Sequence, residues 1–225
     1  MKRSPKTIPS AGRLARICVT GGIACGKNLA GATLAKLGVP VIDADQVCHA
    51  MMQSGRPFFK RLVAAFGEGI VGSDGEIDRG FLGRRVFADE KELKRLNRLA
   101  HPGVMRTIEA WIVEQAGGGA GRLGIIVALV PLVYEAEWER AWDWIICVGA
   151  PMSVQVERLK LRGLTPAEAR ARIAAQWPVE EKMRRADYVV FNGGTPDCAR
   201  RQTVRIFDDI VQHMEKKHGR NPSTR

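Results

Sequence analysis

Arg16-Ile-Cys-Val-Thr-Gly-Gly-Ile-Ala-Cys-Gly-Lys-Asn28 is the stretch from which the fold can be read. Its first part, residues 17–20, is an apolar and β-branched run that predicts a short buried strand. A glycine-rich turn follows, and a helix is expected to open near Lys27. Gly21, Gly26 and Lys27 fall on the G-x-x-x-x-G-K spacing of a phosphate-binding loop. Glycines let the backbone curl until successive N–H groups point inward, and with the following helix N-terminus they form a cradle for anionic oxygens. Lys27 adds a mobile positive charge able to reach terminal phosphates. One position departs from the pattern: Asn28 stands where a Ser or Thr hydroxyl usually serves Mg²⁺.

Working outward, the 225-residue chain is long enough for one domain with insertions. Its longest apolar run, residues 123–134, is too short to span a bilayer and is interrupted by Pro131. No apolar segment follows the basic residues at the N-terminus, so no secretory signal is expected. The five cysteines form no C-x-x-C pair, which argues against a disulfide framework or zinc site and for a reducing cytoplasm. Cys25 lies inside the loop, where a helix N-terminus is expected to lower its thiol pKa. The net charge of +11 fits either nucleic-acid binding or a site for polyanionic small molecules plus basic tails at 1–15 and 218–225. No aromatic-interleaved basic stripe supports nucleic acid, so the second reading is preferred.

After the loop, a helix over 29–37 is expected to stop at Gly38, and Val39-Pro-Val-Ile-Asp-Ala-Asp45 reads as a second strand. Asp43 and Asp45, two apart on an extended segment, should face the same way beside the loop. They suit a hydroxyl nucleophile or a metal; the plainer reading is that Asp43 caps the next helix. Residues 47–115 look mostly helical, with a turn at Ser73-Asp-Gly75. His101-Pro102 is expected to end one helix, and a second runs over 104–115 to Gly117-Gly-Gly119. Strands are expected at 125–129, 144–148 and 188–191, alternating with helices, so the sheet should be parallel. Ser153 is a candidate N-cap for a helix over 153–162, and Thr165-Pro-Ala-Glu168 fits a capping box. Arg158, Arg162, Arg170 and Arg172 crowd these two helices and suggest an arginine-bearing lid. A helix over 199–217 closes the chain.

Taken together, Thr20-Gly-Gly-Ile-Ala-Cys-Gly-Lys27, Val41-Ile-Asp-Ala-Asp45, Gly75-Glu-Ile-Asp-Arg79, Leu82-Gly-Arg-Arg-Val-Phe87, His101-Pro102, Pro131-Leu-Val-Tyr-Glu135, Arg172-Ile-Ala-Ala-Gln176 and Lys182-Met-Arg-Arg-Ala-Asp-Tyr188 resemble the dephospho-coenzyme A kinase family. The resemblance implies an α/β P-loop kinase fold: a parallel five-stranded sheet flanked by helices (core 16–45, 122–152 and 186–217), a helical substrate-binding insertion over about 46–121 and a short lid over about 153–185. It implies transfer of the γ-phosphoryl group of ATP, with Mg²⁺, to the ribose 3′-hydroxyl of dephospho-coenzyme A, the final step of coenzyme A synthesis. ATP contacts are expected from Gly21, Gly22, Ala24, Cys25, Gly26, Lys27, Asn28, Leu29 and Asn192. Acceptor contacts are expected from Asp43, Asp45, Arg79, Arg85 and His101, with Arg158 and Arg162 closing over the phosphates and Asn28 as the metal-binding position. Ala24 and Cys25 replace the family's usual glycine and serine. The alternative is a homologue that binds nucleotide or coenzyme A without useful turnover. Neither nucleic acid nor a membrane is expected as a partner.

Overall fold

The computed structural model describes residues 14–117 and 124–218. The basic tails expected at the two ends lie almost wholly outside these residues. Five parallel strands form one sheet: β1 (Ala15–Gly21), β2 (Val41–Asp43), β3 (Ile125–Leu129), β4 (Trp144–Gly149) and β5 (Tyr188–Phe191), in the order β2-β3-β1-β4-β5. The phosphate-loop strand is therefore central. Alternate side chains of these apolar runs enter two separate cores, as a period of two requires. Ile17, Val19, Val127 and Leu129 face one side, while Cys18, Ile126 and Ala128 face the other.

Helix α1 (Lys27–Lys36) follows the loop and ends before Gly38, whose φ of +81° suits a glycine after a helix. With α9 (Pro196–His218) it covers the first face, through Ala30, Leu34, Phe207 and Ile210. Between β2 and β3 the chain makes α2 (Ala44–Met51), α3 (Pro57–Phe66), α4 (Arg79–Ala88) and α5 (Glu90–Gly117). Phe58, Leu62, Phe66, Ile70, Leu82 and Val86 give these helices a core of their own. The expected turn at 73–75 is closed by a bridge between Val71 and Ile77. After β4 come α6 (Met152–Lys160), α7 (Pro166–Ala174) and α8 (Val179–Arg185). Among the described residues, no helix is long and apolar enough to cross a membrane.

Two local expectations are corrected. Pro102 does not end a helix; it sits inside the 28-residue α5. Ala100, Val104, Ile108 and Ile112 are all buried at a spacing of four, so one apolar stripe runs past the proline, from the insertion's core at Ala100 to the sheet core at Val104, Ile108 and Ile112. Burying that stripe offsets the hydrogen bond that Pro102 cannot donate. At α6 the N-cap is Pro151 with no side-chain bond, and Ser153 lies inside the helix. The Thr165 capping box forms as expected, with Glu168 N donating to Thr165 Oγ1 at 3.2 Å and Thr165 N to Glu168 Oε2 at 2.8 Å.

Candidate active site

The loop between β1 and α1 is folded tightly against strand ends that arrive much later in the chain. A Cβ on Gly21 would lie 2.3 Å from the Val148 carbonyl oxygen, and one on Gly26, at φ +98°, would lie 2.2 Å from Asn192 Nδ2. Both positions therefore exclude a side chain. Asn192, buried at the end of β5, donates from Nδ2 to the Cys25 carbonyl at 2.8 Å. Arg158 donates from Nη1 to the Ala24 carbonyl at 3.0 Å and from Nη2 to the Asn192 carbonyl at 3.1 Å. From the segment after α7, Gln176 Oε1 accepts from Ile23 N at 3.0 Å. Cys25 N is also engaged, by the Gly22 carbonyl at 3.1 Å. The amides of Ile23 and Cys25 are thus already committed to shaping the loop. Lys27 and Asn28, the first two residues of α1, supply the helix-start N–H groups that have no intrahelical partner.

Lys27 is buried and its Nζ lies 3.4 Å from both Asp43 Oδ1 and Asp45 Oδ2. The carboxylates converge, but not by strand periodicity. Asp43 ends β2 and caps α2 by accepting from Asp45 N at 2.9 Å, so Asp45 sits in the first helical turn. Capping and lysine binding are done by the same oxygen, so the two readings of Asp43 hold together. The side chain of Asp43 is 8% exposed and that of Asp45 is 66% exposed. Only Asp45 has an oxygen open to an incoming group.

The other expected residues are placed less uniformly. Leu29 packs against the core of the first sheet face. Ala24 carries φ +58° and packs with Leu159 and Ala169. Arg162 is exposed in the turn after α6, whereas Arg158 braces the loop's carbonyl side. Arg85 holds the Phe66 carbonyl at 2.8 Å and Glu92 at 2.9 Å, a structural commitment inside the insertion. Arg79 donates to His49 Nε2 at 2.9 Å. His101 is half-buried; burial pushes its pKa down, and the Glu135 charge nearby works against that shift.

The expectation for Cys25 is overturned. Its thiol is fully buried, and burial pushes its pKa up to about 11, outweighing the hydrogen bonds and nearby cations that lower it. Cys198, in contrast, is exposed. Mild alkylation of the native protein is expected to label Cys198 well before Cys25, read by mass spectrometry. Labelling in the reverse order would contradict the burial argument.

Sequence reasoning gave no role to the most buried charge of the site. Lys182 on α8 has no exposure, and its Nζ meets Glu135 Oε1 at 2.7 Å and the Pro131 carbonyl at 2.8 Å. The Pro131 carbonyl also accepts from Thr20 Oγ1 at 3.2 Å, and Glu135 Oε1 accepts from Trp177 N at 3.0 Å. This group ties the strand before the loop, the exit of β3, Trp177 and α8 together. A lysine in the middle of a short charged helix gives no local signal of burial. Glu135, His101, Gln176 and Trp177 all border a cleft of about 1040 Å³ that α4 and α5 also line.

The loop and its paired aspartates lie in the part of the chain that a family model described as dephospho-CoA kinase matches, over residues 15–197. The chain belongs to the dephospho-CoA kinase family. A dephospho-CoA kinase from Geobacillus kaustophilus is 42% identical over 192 residues, covering 85% of this chain and 94% of that protein. One from Anaeromyxobacter dehalogenans is 40% identical, covering 86% and 91%. A crystal structure of TT1252 from Thermus thermophilus is similar with a TM-score of 0.70 and 31% identity, over 88% of this chain and 98% of that one. The family's expected five-stranded parallel sheet is the sheet observed here.

Proposed function

We propose that this kinase transfers the γ-phosphoryl group of ATP to the ribose 3′-hydroxyl of dephospho-coenzyme A. The observation that carries the reading is the convergence of Lys27, Asp43 and Asp45 at the mouth of the glycine loop. Loop amides and the start of α1 hold the donor's phosphates. Lys27 exchanges its long contacts with the aspartates for the β- and γ-oxygens and neutralises charge there. Asp45 takes the 3′-hydroxyl proton as that oxygen attacks the γ-phosphorus, and the β–γ bridging oxygen departs with ADP. Asp43 keeps Lys27 and the start of α2 in register. The insertion of α2–α5 receives the acceptor and α6–α8 close over the donor. The same assembly favours turnover over the alternative of binding alone.

Among the described residues no cluster of three or more acidic, His or Cys groups could hold a metal by itself. The oxygen donors of Asn28, exposed on α1, and of the two aspartates fit Mg²⁺, which is usually bound by one or two protein carboxylates together with substrate phosphates. These residues would hold such an ion beside the donor phosphates, where it would supply positive charge to the transferring group. Asn28→Ser is expected to lower the Mg²⁺ needed for half-maximal rate by roughly tenfold, since a compact hydroxyl replaces an amide with a repulsive NH₂ end. A Mg²⁺ titration of both proteins checks this; an unchanged midpoint means the loop has adapted to asparagine.

The decisive experiment is ADP release on adding dephospho-coenzyme A, repeated with Asp45→Asn and Asp43→Asn. Asp45→Asn is expected to lose on the order of 10²–10⁴ in kcat, the range of general base catalysis. Asp43→Asn keeps a good N-cap and loses less. Wild-type rates in both variants would remove the aspartates from the site. The acceptor is a soluble small molecule, and five free cysteines are compatible with a reducing cytoplasm.

A further inference from the structure

Residues 22–25 of the glycine loop make one tight turn, closed by Cys25 N donating to the Gly22 carbonyl at 3.1 Å. The third residue of that turn is Ala24, at φ +58°. Among the described residues only Glu137 shares this left-handed region without being glycine. A turn with positive φ at its third residue ordinarily carries glycine there. A Cβ in that conformation crowds the following carbonyl, so the conformation persists only where neighbours fix it. Three contacts do so. Gln176 Oε1 accepts from Ile23 N at 3.0 Å, which orients the Gly22–Ile23 peptide with its carbonyl toward Cys25 N. Arg158 Nη1 donates to the Ala24 carbonyl at 3.0 Å. The Ala24 methyl packs with Leu159 of α6 and Ala169 of α7. Gln176 is itself held in place by its neighbour Trp177, whose N donates to Glu135 Oε1 at 3.0 Å and whose ring stacks on Tyr134.

We propose that Gln176 is a positioning residue for the donor: through the Ile23 amide it holds the strained turn in the shape that aims the next N–H groups, those of Gly26 and the start of α1, at the phosphates. The inference rests on the reading that this loop holds the donor's phosphates. Gln176 acts through the loop, because its oxygen is already committed to Ile23 N. Alanine at position 24 is what makes the loop depend on it. Glycine would adopt the same φ without a steric penalty. With alanine, releasing Ile23 N lets the Ile23–Ala24 peptide rotate until Ala24 reaches the right-handed region, the ordinary alternative for a turn of this length. That rotation redirects the amides that follow. Gln176 and Ala24 are therefore coupled, and the coupling is read in donor affinity.

Titration calorimetry on the full chain tests it, with ATP and dephospho-coenzyme A as separate probes. Gln176→Met keeps the length of the side chain and removes the accepting oxygen. It is expected to weaken ATP about tenfold, the scale of one lost hydrogen bond, and dephospho-coenzyme A less than about twofold. In the rate assay the loss should appear in KM for ATP and not in KM for dephospho-coenzyme A. Introduced into the Ala24→Gly protein, the same Gln176→Met change should weaken ATP less than about threefold, since the turn no longer needs the clamp. Hydrogen exchange gives a readout on the wild type itself: the Ile23 amide should be protected there and lose protection in Gln176→Met. An unprotected Ile23 amide in the wild type, unchanged ATP affinity in Gln176→Met, equal weakening of both ligands, or equal losses in the two backgrounds overturns the proposal. Wild-type protein that binds ATP without phosphorylating dephospho-coenzyme A overturns the activity and leaves the clamp standing.

Discussion

Lys27→Ala lowers turnover by at least about a hundredfold while the fold survives. Its ammonium is the one positive charge that the loop itself places at the mouth of the cradle, within 3.4 Å of both aspartates. Those contacts are long for charge-assisted hydrogen bonds, so the resting enzyme gains little from them. The same ammonium on a transferring phosphoryl group acts where charge develops in a water-poor site. Losing such an electrostatic group costs about 2.7–4 kcal/mol of barrier, or 10²–10³ in rate. Stability changes little because Asp43 keeps its bond from Asp45 N and its place at the end of β2. Coupled measurement of ADP release gives the rate, and a thermal melt gives the fold. Near-normal turnover in a folded variant would show that the loop is not where the chemistry happens.

The second large effect is on stability. Glu135→Leu is expected to destabilise the protein by about 3–5 kcal/mol, because it leaves the Lys182 ammonium buried with only a carbonyl partner. For a chain of this size that is a fall in Tm of roughly 6–20 °C. The double variant Glu135→Leu/Lys182→Met should recover most of the loss, since two apolar side chains replace a pair whose desolvation offsets much of its attraction. It should not recover all of it, because Trp177 N loses its acceptor. Denaturant unfolding of the two proteins checks both statements. A single variant as stable as wild type would mean that Lys182 finds water or another partner.

What could be read from the sequence was what depends on neighbours in the chain. The spacing from Gly21 to Lys27 prescribes a backbone path, and that path is present. The capping box at Thr165 and the stop at Gly38 are equally local. The misreadings at Pro102 and Cys25 arose where a distant segment outweighed a local rule. Pro102 should have broken a helix, but buried residues flank it on both sides, Ala100 in the insertion's own core and Val104, Ile108 and Ile112 against the sheet. Cys25 sits at a helix start that should favour a thiolate, but tertiary packing buries it and raises its pKa instead. Asp43 and Asp45 were paired for the wrong geometric reason, since a cap turns the chain into α2 between them. Gln176, Lys182 and Glu135 act through partners 42 to 153 residues away, and no local pattern reports such distances.

The latch between Asn192 and the Cys25 carbonyl spans 167 positions of chain. Synthesis runs from the N-terminus, so the glycine loop leaves the ribosome well before its brace. Until β5 has emerged, the loop lacks the amide that pins Cys25 and the carbonyl that holds Arg158 in place. The loop therefore gains its final brace only after β5 has been made. A nascent chain halted after α8 carries every residue of the phosphate-loop motif and is still expected to miss ATP, which keeps unfinished copies from capturing the donor.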